Sequence, residues 1–497
     1  MNNEWPTSHR AFTAKVSRLT LAAMVSLMAG CAVGPDYQKP LIALPEQFKH
    51  RQDDSEDMSQ RGQKAAQDHR FWLAFGDPEL ARLVDQAQAA NKDLGVAVSH
   101  YAQARALLSE ARGDQLPTVT MGARGGHEKL SIDQSYGFPR SHDNYSVGVL
   151  ASWELDLFGR VRRKVEAQRA EVKASEHEVE ALRIAIVGET AATYMTLRGL
   201  QERLKVVQDN VENQRQMLNL VDVRVKAGRG TDFDSTRALA QFQSTAARVP
   251  VIEASIAVAQ HRLAVLTGQQ PESLDLVSTT ARPLPTLPAR ISPDTPGDVL
   301  RRRPDIAAAE ERLKAATARI GVAVGDLFPK FSFSGLVGYQ AFKADDVFSS
   351  RGAMNSGFLG VDWSFLDVSR VKARIAASES EASAQMLQYQ QTVLLALEDT
   401  ENALVRYSRT RMEDSLLEQA ARDSTKAAGM ARMRYQSGMT DLYELLDAER
   451  AVLSVQEQFV DARTRSALNA VALFKAMAGG WPQPDQLAAN QTTARKP

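Results

Sequence analysis

The chain holds one cysteine among 497 residues, so no disulfide can close within it. Aromatic residues make up only 6%, and basic and acidic residues are equal at 60 each. With neither a stacking cluster nor a basic stripe, nothing points to nucleic acid as a partner. The histidines (His9, His50, His69, His100, His127, His142, His177 and His261) are scattered without the close pairing of a zinc site, so no metal set is expected. There is no glycine-rich phosphate loop and no nucleophile elbow. With no catalytic constellation, the chain reads as something other than an enzyme. From Phe158 to Gly228 there is no proline, and the glycines between are Gly159 near the start, Gly188 and Gly199.

What is present begins with an export signature. Residues 1–30 place His9, Arg10, Lys15 and Arg18 before an apolar run, Leu19 to Met28. That run is too short for a permanent membrane helix. It ends at Ala29-Gly30-Cys31, so the single cysteine follows two small residues, as at a bacterial lipoprotein processing site, with Met28 where leucine is usual. Cys31 is the expected lipid anchor, and Ala32 in place of aspartate favours the outer membrane. Residues 31–70 are polar and punctuated by Pro35, Pro40 and Pro45, and read as a tether.

The proline-free stretch repeats its apolar residues every seven positions: Val165, Val172, Val179, Ile186, then Leu200 and Val207. A second row runs through Leu204, Val211, Leu218 and Val225. This is one helix packed on others over 158–227, on the order of 100 Å long at the α-helical rise. A helix of about 35 residues is expected before it, from Pro78 to Arg112, and another after it over 231–266. The abundant alanine suits helices packed closely side by side. Prolines 271, 283, 285, 288, 293 and 296 make 269–297 an irregular connector.

Then the pattern begins again. Gly113-Asp114 recurs as Gly325-Asp326 and Pro117 as Pro329, displaced by 212 positions; Trp153 recurs as Trp363, Arg224 as Arg434 and Gly228 as Gly438, displaced by 210. Two repeats follow, 71–268 and 298–480, with a tail over 481–497; the second has a long helix over 368–436 and a further one over 441–478. Each repeat carries two alternating segments, 116–126 and 144–156, then 328–342 and 358–366. In the second of these, Tyr145, Val147, Val149, Ala151, Trp153 and Leu155 share one face. About ten residues, apolar on one side and small or polar on the other, is the pattern of a membrane barrel strand.

Four strands cannot close a barrel, since about eight is the smallest number that works, and open edges cannot face lipid. Several chains must share one sheet. Two, three or four copies would give 8, 12 or 16 strands, and only the larger two leave a lumen for small and acidic residues such as Gly148, Glu154 and Asp362. The strands mark the membrane end, and the glycine turns at Gly228 and Gly438 are expected about 100 Å from it.

Leu300-Arg301-Arg302-Arg303-Pro304-Asp305-Ile306, the turn Arg434-Tyr435-Gln436-Ser437-Gly438 and Leu445-Leu446-Asp447-Ala448-Glu449-Arg450 resemble TolC-type outer-membrane efflux factors. Within these the chain is similar to the NodT-like lipoprotein branch that serves resistance-nodulation-division pumps. The resemblance implies an α+β membrane protein. Three chains would form a 12-stranded transmembrane β-barrel, four strands each, continued by a long periplasmic α-helical barrel with coiled-coil tips. It implies a passive exit duct for small toxic compounds delivered by an inner-membrane pump through a periplasmic adaptor. Cys31 would carry diacylglycerol and an N-acyl chain such as palmitate, seated in outer-membrane lipid, and no other cofactor is implied.

By position, Tyr443, Asp447 and Arg450, with Arg434 nearby, resemble the residues that narrow the periplasmic aperture. Their i, i+4, i+7 spacing puts the first three on one helical face. Gly228, Gly230 and Thr231, and Gly438, Met439 and Thr440, resemble the tips that dock on the adaptor. The run Arg301 to Arg303 reads as a structural feature of the connector rather than a phosphate site. Two other readings remain open at this point: the channel of a protein secretion system, and a pore-less, lipid-anchored coiled-coil adaptor.

Overall fold

The computed structural model describes residues 32–50, 70–134, 139–272, 283–287 and 295–477. The signal segment, Cys31, part of the tether, much of the connector and the tail lie outside them. The chain divides into two compact units: residues 1–41, 100–176 and 308–390, and residues 42–99, 177–307 and 391–497.

The first unit contains a four-stranded antiparallel sheet in the order β1-β2-β3-β4, with β1 at Thr118–Lys129, β2 at Ser141–Leu155, β3 at Lys330–Ala341 and β4 at Ala353–Asp362. Although β2 and β3 are distant in sequence, they pair along eleven positions, from Tyr145 opposite Ala341 to Leu155 opposite Phe331. The registers align Met121, Val149 and Val337 across three strands, and Trp153, Phe333 and Leu359 across the last three. The other face carries Gly148 opposite Gly338, and Glu154 opposite Ser332 and Gly360. One face is thus rich in apolar side chains; the other is mostly small or polar, with Leu150, Leu336 and Phe358 as exceptions.

The fourth strand differs from the expected 358–366 by starting and ending earlier. Its ladder closes at Asp362 opposite Lys330. Trp363 and Phe365 continue the alternation in sequence but leave the sheet, and the Trp363 indole N–H donates to the Leu327 carbonyl at 3.0 Å. Trp153 does the same to Gln115 at 3.1 Å. Two indoles spaced by the same offset as the rest of the pattern therefore bind the chain entering each hairpin. The first strand also starts later than expected, because Leu116 is held in a turn by the Gly113 carbonyl.

The helices are α1 Pro78–Ala90, α2 Lys92–Gly113, α3 Arg160–Lys226, α4 Asp232–Ala246, α5 Arg248–Leu266, α6 Pro296–Arg302, α7 Pro304–Gly325, α8 Val368–Gln436 and α9 Leu442–Ala476. The long helices α3 and α8 form as the heptad pattern of the first and the repeat of the second lead one to expect. The expected 35-residue helix ending at Arg112 is two. Asn91 ends α1 and starts α2, its side-chain oxygen accepting from Leu94 N–H and its amide donating to the Leu266 carbonyl. The expected helix 231–266 is also interrupted, after Ala246. Pro250 has no N–H for the Ala246 carbonyl, and its ring crowds that carbonyl.

In the second unit the largest core joins Phe71, Trp72 and Phe75 to Leu80, Leu83 and Val84 of α1, Tyr194, Met195 and Leu197 of α3, and Ala467, Ala470, Val471 and Leu473 of α9. Asp77 caps α1 through Glu79 N–H at 2.8 Å, and its other oxygen accepts from the Tyr194 hydroxyl at 2.5 Å. Burial and then this carboxylate push the Tyr194 hydroxyl pKa well above its ordinary value. Arg303 is the structural arginine of its motif. It reaches Asp305 at 2.6 Å and Asp399 at 3.4 Å, and burial, which opposes its charge, is outweighed by these partners, so its pKa is raised.

Candidate functional site

The two turns close in the same way for the same reason. After α3, Gly228 N–H donates to Val225 O and Arg229 N–H to Arg224 O; after α8, Gly438 N–H donates to Tyr435 O and Met439 N–H to Arg434 O. This pair of bonds needs a left-handed residue, and Gly228 (φ +71°) and Gly438 (φ +76°) supply it. Gly230 does not adopt that conformation. It is small for another reason, since a Cβ there would meet Val225 Cγ2 at 3.0 Å and the Val225 backbone nitrogen at 3.4 Å.

The next helices start differently. Thr231 and Asp234 form a capping box. At the second turn Asp441 is the cap, accepting from Glu444 N–H at 2.9 Å, and Thr440 instead bonds the Glu444 carboxylate through its hydroxyl.

Behind the turns, Met217 and Val221 of α3, Ala238 of α4, Ala431 and Tyr435 of α8, and Leu442, Leu445 and Leu446 of α9 form one small core. Glu449, 6% exposed, pairs with Arg432 at 2.6 Å and ties α9 to α8. Because this face of α9 is packed, Tyr443, Asp447 and Arg450 fall on the opposite, exposed face. The structure brings these three together as a stripe. It does not bring Arg434 to them, for Arg434 faces Glu444 at 3.4 Å.

Asp447 makes no hydrogen bond or ion pair among the described residues. Arg450 Nε donates to Gln241 at 2.6 Å, and the Arg237 guanidinium lies 4.9 Å from the Tyr443 ring centre. Sequence reasoning missed Arg237 and Gln241. The offset of 210 that links the turns maps Arg237 onto Asp447, and that was the available signal. It also missed Arg224, the counterpart of Arg434, which donates to Tyr435 O at 2.8 Å and lies 4.2 Å from that ring centre. Among the described residues no cluster of three or more metal-ligating side chains occurs. Cys31 lies outside the described residues.

Residues 83–269 and 295–479 match the family described as outer membrane efflux protein. The chain belongs to that family. The two matched segments begin 212 residues apart and end 210 apart, the same displacements as the paired residues of the sequence. The efflux protein is 30% identical to outer membrane protein OprJ of Pseudomonas aeruginosa over 93% of its own length and 96% of the relative's. It is 26% identical to the probable outer membrane lipoprotein SilC of Salmonella typhimurium, over 93% and 99%. Its structure is similar to that of the outer-membrane channel OprN, with a TM-score of 0.83 and 36% identity, covering 91% of this chain and all of the other. It is an outer-membrane protein of efflux, of the NodT and TolC type.

Proposed function

We propose that three copies of this efflux protein assemble into one duct, a 12-stranded barrel in the outer membrane continued by a periplasmic tube of helices. Through it, small toxic compounds leave passively. The observation that carries this is the sheet: β1 and β4 each pair on one side only, so both edges are open among the described residues. An open edge in hydrocarbon leaves unpaired backbone groups that each cost several kcal/mol, roughly. Further copies supply the missing neighbours.

The helices support the same reading. Val251, Val258 and Val265 of α5 are exposed at 66%, 67% and 48% and sit seven residues apart. Beside them a groove of about 850 Å³ is lined by Ala192, Thr193, Thr196 and Leu200 of α3 and by Ala254 and Val258 of α5. Within Asp232–Leu266 an 18-residue window reaches a mean hydropathy of 1.3, apolar enough by composition to cross a membrane. A seven-residue row, however, is the spacing of a helix seam and not of a lipid-facing surface.

In the assembled duct the anchor is Cys31, carrying diacylglycerol and an N-acyl chain in outer-membrane lipid. The turns, with Gly228, Gly230, Thr231, Gly438, Met439 and Thr440, dock on a periplasmic adaptor that links the duct to a resistance-nodulation-division pump. Tyr443, Asp447 and Arg450 line the periplasmic aperture. Three Asp447 carboxylates around one axis repel unless countered, and Arg237 and Arg450 lie on the neighbouring surface. Replacing Asp447 with alanine is expected to raise the resting conductance of the purified protein in planar bilayers. Unchanged conductance would remove the aperture assignment, and no conductance from the wild type would remove the duct.

A further inference from the structure

Chain ends are ordered only when something ties them down. Residues 32–39 are tied with unusual completeness in the first unit. Val33 N–H donates to the Phe158 carbonyl at 3.0 Å. The Arg163 side chain, 5% exposed, gives Nε to Val33 O at 3.1 Å, and Nη2 to Gly34 O at 3.3 Å and to Asp36 at 2.7 Å. Lys39 then reaches Glu310 of α7 at 2.8 Å, and Lys314 lies 5.2 Å from the Tyr37 ring centre.

Gly159 and Gly321, from different parts of the chain, vacate the space this segment fills, and Gly34 keeps the segment itself slim enough to enter it. A Cβ on Gly34 (φ +93°) would sit 2.4 Å from the Gly321 Cα. One on Gly321 would sit 2.9 Å from Val33 O, and one on Gly159 (φ +79°) would sit 2.6 Å from Ala32. Burial raises the Glu310 carboxyl pKa, but Lys39 and Lys314 outweigh it and hold the group below the usual carboxylate range. A buried guanidinium directed at two backbone carbonyls recognises a path of the chain rather than its side chains. That is the chemistry of a clamp.

We propose that residues 32–39 are a clamped strap that holds the membrane anchor at the junction of β2 and α3, so that the anchor and the end of β2 enter the membrane at a fixed relative depth. This rests on the reading that Cys31 is lipidated. Residue 31 is one peptide unit, about 3.8 Å, from Ala32. Ala32 in turn packs on Gly159, just past the end of β2. A free tether of the same length would let the lipid wander by roughly 5–6 Å times the square root of its residue count.

The test uses the full-length protein in outer membranes, with Gly34→Val to block seating from the strap itself, Arg163→Met to remove the clamp, and Cys31→Ser as the lipid control. In the solubilised protein, chymotrypsin cleavage after Tyr37, at the Tyr37-Gln38 bond inside the strap, is expected to be about tenfold faster in Gly34→Val than in the wild type, following the open fraction of the strap. Palmitate incorporation is expected to be unchanged in Gly34→Val, while the yield of heat-resistant oligomer in the membrane falls several-fold in both strap variants. Wild-type protection of the Tyr37-Gln38 bond in Gly34→Val overturns the clamp, and normal oligomer yield with a cleavable strap overturns its role in insertion. Absence of palmitate from the wild type removes the lipid reading and this proposal with it, whereas label lost only in Cys31→Ser upholds that reading whatever the strap variants do.

Discussion

Single side chains matter most here where two helices pass at backbone distance. A Cβ at Gly199 of α3 would lie 2.2 Å from Thr464 Oγ1 of α9 and 2.9 Å from the Thr464 Cβ, so turning the threonine rotamer cannot relieve the clash. At Gly429, inside α8, a Cβ would meet nothing within 4 Å. The same substitution should therefore act in opposite directions. Gly429→Ala is expected to gain about 0.5–1 kcal/mol from helix propensity. Gly199→Ala is expected to lose about 1–3 kcal/mol to overpacking. Thermal denaturation in detergent checks both, and a Gly199→Ala protein as stable as the wild type would show that α3 and α9 can separate freely. The rule that glycine weakens a helix finds both glycines in the sequence, but only the contact with Thr464 tells them apart.

Among the elements, the proline at position 250 separates two otherwise comparable helices. α9 runs unbroken for 35 residues, whereas its counterpart is divided into α4 and α5. Pro250→Ala gives the Ala246 carbonyl a donor and is expected to raise stability by about 1 kcal/mol. Hydrogen exchange at the new residue 250 amide reads this directly, and exchange at the unprotected rate would refute it. What could be read in the sequence follows the same logic of range. The two long helices, the four strands and the glycine turns depend on periodicity or on a residue's own backbone preference, and they were legible. The break at Asn91 was missed although Asn-Lys-Asp is a helix start, because the helical period continues across it. The fourth strand was displaced because Trp363 and Phe365 extend an alternation that the ladder abandons. Arg163 could not be placed at all, for its partners at Val33, Gly34 and Asp36 lie 127 to 130 positions away. That Tyr443, Asp447 and Arg450 share one face was legible by spacing, but their neighbours Arg237 and Gln241 were not.

For the whole molecule, the exposed row Val251, Val258 and Val265 is the surface that would tie the chain to its copies in the proposed assembly. Val258→Asp places a charge in the middle of that row. Burying it unpaired costs several kcal/mol, roughly, so the variant is expected to lose the oligomer while keeping its helical circular dichroism. Retention of the full oligomer by sedimentation in detergent would place the seam elsewhere. The bare margins of the sheet carry a genetic consequence too. In the proposed assembly β1 and β4 are each completed by a sibling, so one faulty chain would spoil every ring it joins. In a cell making sound and faulty chains equally, only about one ring in eight would be wholly sound if three subunits assemble at random. A recessive-looking lesion in such a gene would thus behave as a dominant one.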